Sequence, residues 1–174
     1  MINETILNLI HTDCSHPLFK KYSKHLDQSV NWDPIRRVAE PLSRVFSKVL
    51  EFDVGINYAN VGVTRTNDMI LEIVRNNHPK YVFWPTMSYE ILEDTFAAIR
   101  QEGSYVVGWF FDDECRFDDY SRWWIPFMDY IFTTDKVAVG RYQELGAKAI
   151  HLLVTADPEF LSLHSVRRHG MPVL

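Results

Sequence analysis

The run Val106-Val107-Gly108-Trp109-Phe110-Phe111, followed at once by Asp112-Asp113-Glu114, limits what this chain can fold into more than any other stretch. An unbroken apolar run of strand formers has no polar face, so it reads as a strand buried on both sides, as in a parallel sheet. The carboxylates at its carboxyl end cannot share that burial, because ionised groups stay near water or near a partner. In open α/β sheets, ligands bind where such strands end. The run therefore points to a site as well as a fold.

The rest of the chain supplies the alternation that a parallel sheet requires. Residues 6–10 read as a first short strand. Asp33-Pro34 reads as an N-cap followed by proline at the first helical position, and that helix restarts near Pro41 and runs to about residue 50 on Leu42, Val45, Phe46 and Val49. Further strands are expected at 54–58, 81–84, 105–111, 130–132 and 149–154. Helices are expected around Met69, Ile70, Ile73 and Val74, then Ile91 to Ile99 stopped by Gly103, then 118–126, then 137–145 closed by Gly146. Strands alternating with short helices call for right-handed crossovers and a mainly parallel sheet of six or seven strands. The expected class is α/β, a Rossmann-like three-layer domain with the strand at 105–111 central in its sheet.

A chain of 174 residues suits one domain with a real core. Residues 1–160 read as a single Rossmann-like domain and 161–174 as a basic tail. The net charge of -5 argues against a nucleic-acid partner or an anionic membrane. No apolar run is long enough to span a bilayer, and the amino end carries Glu4 and no basic residue, unlike a secretory signal. Cys14 and Cys115 form neither a disulfide framework nor a zinc motif, which suits a reduced, cytoplasmic setting.

If the strands are parallel, the polar residues that follow each of them meet on one rim. These are His11, Thr12 and Asp13; Asn57 and Asn60; Thr86 and Ser88; Asp112, Asp113 and Glu114; Thr133, Thr134 and Asp135; and Thr155 and Asp157. Helix caps account for Ser88, Thr134 and Asp135. The acidic cluster has three readings. It supplies a general base, since neighbouring carboxylates raise one another's pKa. It binds a divalent cation through several hard oxygens. Or it is a solvated loop tied down by Arg116 and Arg122. Trp109, Trp123 and Trp124 stand beside it, and Trp123-Trp124 cannot both point inward from a helix. The candidate catalytic residues are Asp112, Asp113 and Glu114, and the candidate substrate-binding residues are Trp123, Thr86, Asp118, Asp119 and His11. His11 is the one histidine placed for chemistry, although a structural role suits it better. No glycine-rich phosphate loop, G-x-S-x-G or zinc-binding histidine pattern occurs, and neither cofactor nor resident metal is expected.

The block Gly108-Trp109-Phe110-Phe111-Asp112-Asp113-Glu114-Cys115-Arg116-Phe117-Asp118-Asp119-Tyr120-Ser121 resembles the N-terminal half of spore-maturation-type glycosyltransferases. So does its continuation Phe127-Met128-Asp129-Tyr130-Ile131-Phe132-Thr133-Thr134-Asp135-Lys136, with Tyr142, Leu145-Gly146 and Ala156-Asp157-Pro158-Glu159. The resemblance covers roughly residues 52–160. It implies one lobe of a two-lobed GT-B architecture. In such enzymes the first lobe mostly holds the acceptor, while the second binds the nucleotide-sugar and stabilises the leaving diphosphate without metal. Carried over, Asp112, Asp113 and Glu114 line the acceptor side of the cleft. The expected partners are an acceptor glycan or other small-molecule acceptor and a second, donor-binding lobe or subunit absent from this chain. The alternatives are a non-catalytic carbohydrate-binding or interaction module, or a metal-dependent hydrolase built on the acidic cluster.

Overall fold

The computed structural model describes residues 1–10, 38, 40–86 and 90–153. Its elements run β1 (Ile2–Ile10), α1 (Glu40–Val45), β2 (Phe46–Asp53), α2 (Val54–Asn77), β3 (Tyr81–Pro85), α3 (Glu93–Gln101) and β4 (Tyr105–Phe110). They continue with α4 (Asp113–Arg116), a 3-10 segment (Ser121–Phe127), β5 (Tyr130–Thr133), α5 (Lys136–Glu144) and β6 (Ala149–His151). All six strands are parallel, in the order β2-β1-β3-β4-β5-β6. The fold is α/β and Rossmann-like, with β4 inside the sheet between β3 and β5.

The two faces of the sheet carry different cores. Leu7, Leu9, Phe52, Val82, Trp84, Phe110 and Ile131 point to the side covered by α2, α3, the 3-10 segment and α5. Trp84 is fully buried at its centre, with ring centroids 4.9 Å from Phe96 and 5.1 Å from Trp124. Each large apolar side chain buried this way contributes about 1.5–3 kcal/mol. The other face holds Ile6, Phe83 and Val107, with Val38 and, from α1, Leu42 packed on them. Trp124 is thus core while its neighbour Trp123 is 59% exposed, as two adjacent residues on one helical turn must be.

Two elements differ from the sequence reading. Residues 46–50, expected to continue a helix, belong to β2, and residues 54–58, expected as a strand, open α2. Leu42, Val45, Phe46 and Val49 do have helical spacing. Parallel pairing with β1, in which Ile6, Leu7 and Leu9 lie opposite Val49, Leu50 and Phe52, overrides it. Asp53 then ends the strand and caps the helix: its carboxylate accepts from the Ile56 amide at 2.9 Å. Gly62 interrupts α2 with φ 77° and ψ 173°, a conformation open to glycine and strained for other residues. The capping proposed at Asp33-Pro34 and the tail at 161–174 lie outside the described residues.

The chain leaves β1 for β2 on one side and returns across it to β3 on the other. In open α/β sheets such a reversal marks the usual ligand side, at the carboxyl ends of the strands. The rim is firmly built. The Thr86 amide and hydroxyl both donate to the Trp109 carbonyl, at 2.9 and 3.1 Å, and the Thr134 amide donates to Phe110 O at 3.2 Å. The ends of β3, β4 and β5 are therefore stitched together.

Candidate functional site

The turn from β4 into α4 decides where each carboxylate goes. Asp112 sits in left-handed backbone, φ 59° and ψ 33°, a region costly for most residues and more readily adopted by Asp and Asn. Its carbonyl accepts from the amides of Cys115 (3.1 Å) and Arg116 (2.9 Å) and from the Cys115 thiol (3.3 Å). The turn throws the next side chain inward. Asp113 is 1% exposed, and its Oδ2 accepts from the hydroxyls of Thr133 at 2.5 Å and Tyr142 at 2.9 Å. This carboxylate joins α4 to the end of β5 and to α5. Burial, reinforced by the Asp113 charge, holds the Tyr142 phenol protonated well above its ordinary value.

Asp112 and Glu114 stay exposed on the rim. The three adjacent carboxylates thus do not act as a unit: one is an internal anchor, and two face solvent on either side of it. Among the described residues no three His, Cys, Asp or Glu side chains converge to hold a metal ion.

The remaining expected site residues separate. Thr86 is 1% exposed, with its hydroxyl on the Trp109 carbonyl. His11 lies outside the described residues. Asp118, Asp119 and Trp123 do come together, with Arg122 and Pro126, around a surface groove of about 570 Å³. In it Asp118 accepts from the Arg141 guanidinium at 2.6 Å and lies 3.9 Å from Arg122. The hydrogen bond from Arg141 holds the Asp118 carboxyl below its ordinary range. Arg141 also stacks 3.9 Å from the Phe117 ring centroid, which fixes it in place. The Trp123 indole N–H donates to Glu93 Oε1 in the first turn of α3, at 2.9 Å.

Sequence reasoning missed Tyr142, buried beneath the rim, and Arg141 and Glu93 beside the groove. Each lies 23 or more positions from its partner, so no local spacing joins them. Asp135 was legible: it caps α5 by accepting from the Val137 amide at 2.8 Å.

No family model and no curated protein matches the sequence. The resemblance to spore-maturation-type glycosyltransferases therefore rests on the quoted residues alone. Among solved structures, a Listeria monocytogenes protein assigned as a UDP-N-acetylglucosamine 2-epimerase is similar over 99% of this chain, with a TM-score of 0.54 and 12% sequence identity. The match takes up 50% of that protein, so the chain spans about half the length of the structure it resembles. At that identity the likeness is one of fold alone, a Rossmann-like α/β unit matched to half of the longer protein. No described helix is long and apolar enough to cross a membrane.

Proposed function

We propose that these residues form the acceptor-side lobe of a glycosyltransferase that moves sugar from a nucleotide-sugar donor. The observation that carries the reading is Asp112, exposed and held in left-handed backbone at the carboxyl end of a central parallel strand. Backbone of that kind persists only where its surroundings enforce it, and it gathers at functional sites. Asp113 supplies the enforcement from below. The structural neighbour, assigned to nucleotide-sugar chemistry, gives coarse support for a sugar-related role.

In this reading Asp112 takes the proton of an acceptor hydroxyl as that oxygen bonds to the anomeric carbon of the donor sugar. The bond from that carbon to the diphosphate breaks, and the diphosphate leaves with the electron pair. Stabilising that leaving group is usually the largest electrostatic requirement of such a reaction. The described rim presents carboxylates rather than a basic cradle, so that task falls to a second lobe. Glu114 flanks the acceptor.

Isothermal calorimetry tests the reading. UDP-sugars added to the protein alone should give no binding heat, and acceptor saccharides should perturb the NMR amide signals of Asp112 and Glu114. Turnover of a UDP-sugar by this chain alone, lost in Asp112→Asn, would show a complete active site and overturn it.

A further inference from the structure

The groove beside Trp123 has the elements of a binding site separate from the rim carboxylates. Trp123 is 59% exposed. An indole edge alone cannot supply that much open surface, so a ring face is open to solvent. The ring is also held: its N–H is fixed on Glu93 at 2.9 Å, and its neighbour Trp124 is anchored in the core. A fixed, open aromatic face loses little side-chain freedom when something flat stacks on it.

The polar lining narrows the class of ligand. Asp118 lies between Arg141 at 2.6 Å and Arg122 at 3.9 Å, so its charge is compensated and it stays ionised. Asp119 lines the same groove. A strongly cationic ligand would need uncompensated carboxylates, and an anionic one would need guanidiniums free of acids. Paired carboxylate and guanidinium groups instead offer acceptors and donors to a neutral, hydroxyl-rich molecule. The groove volume of about 570 Å³ falls inside the range of about 300–1,000 Å³ usual for small-molecule sites.

We infer that this groove is a saccharide subsite in which a neutral pyranose stacks on Trp123 and hydrogen-bonds to Asp119 and the Asp118–Arg122 pair. The inference rests on the sugar-related reading above and adds to it a second contact point, through which an extended acceptor is gripped away from its reacting hydroxyl.

The test is a titration of the whole chain with methyl glycosides of glucose, galactose, mannose and N-acetylglucosamine, followed by NMR of the indole N–H signals. One glycoside should shift the Trp123 signal in a saturable way and leave those of Trp84 and Trp124 in place. Trp123→Ala, a change at an exposed position, should abolish saturation. Asp119→Asn should weaken binding at least fivefold, while Trp123→Phe should retain part of it. No saturable shift of Trp123, or a shift given by tetramethylammonium and by no sugar, overturns the inference. Perturbation of the Asp112 and Glu114 amides without Trp123 would sink the subsite and leave the proposed function standing; silence at both places would sink both.

Discussion

The hydroxyl of Tyr142 donates to Asp113 Oδ2 at 2.9 Å, a buried bond that links the last turn of α5 to the first turn of α4. Thr133 reaches the same oxygen from the end of β5. Three elements therefore converge on one carboxylate, and the exposed Asp112 next to it inherits their rigidity.

Replacing Asp113 by Ala should leave two buried hydroxyls without their acceptor. A buried polar group deprived of its partner costs about 1–3 kcal/mol, so the loss should be about 3 kcal/mol in all. Urea denaturation at neutral pH reads it directly. A midpoint unchanged in Asp113→Ala would mean that the anchor contributes nothing.

The same pair sets an alkaline limit. Tyr142 in the unfolded chain ionises near 10.0, whereas in the folded chain burial holds its proton to higher pH. Above the unfolded value the folded state binds more protons than the unfolded one, so stability falls as pH rises, by at most about 1.4 kcal/mol per pH unit. Below that value the contribution is fully present. Tyr142→Phe, lacking the phenol, should lose stability less steeply above about pH 10, as denaturation midpoints measured across the alkaline range would show.

Gly108 in β4 faces a tight space. A Cβ there would lie 2.7 Å from Phe110 Cε2 and 2.9 Å from Met128 Sδ, closer than real contacts allow. Phe110 is fully buried and cannot retreat freely. Gly108→Ala should cost about 1–3 kcal/mol through overpacking, visible as a lowered melting temperature with the fold retained by circular dichroism.

On the surface, Arg141→Gln should remove the hydrogen bond that holds the Asp118 carboxyl low. Its titration, followed by carboxyl-carbon NMR, should move up toward the ordinary value of 3.8. An Asp118 that titrates identically with and without Arg141 would contradict the contact at 2.6 Å.

Most of the sheet was legible in the sequence because β3, β4 and β5 are dense apolar runs bounded by proline, aspartate or threonine. β2 was not. Phe46, Val49, Leu50 and Phe52 are apolar in Phe46–Asp53, neither a dense run nor a strict alternation, and with Leu42 and Val45 they mimic a helical stripe; pairing with β1, distant in the chain, decides the matter. The site divides in the same way. That carboxylates follow β4 is written in the sequence, but which one turns inward depends on the left-handed turn at Asp112 and on Tyr142, 29 positions from Asp113. Backbone handedness and contacts of that range leave no periodic trace.

The position of β1 has a consequence for how the sheet is assembled. β1 precedes both of its neighbours in the chain yet lies between them, bonded to β2 on one edge and β3 on the other. A nascent chain therefore carries the apolar run Ile6 to Ile10 with two open edges until residue 53 has emerged, and with one until residue 85 has. Open apolar edges of that kind invite pairing with other chains. Loss of Ile2–Ile10 would act on the whole sheet. It would remove the strand that joins β2 to the four strands from β3 to β6 and leave the sheet in two pieces.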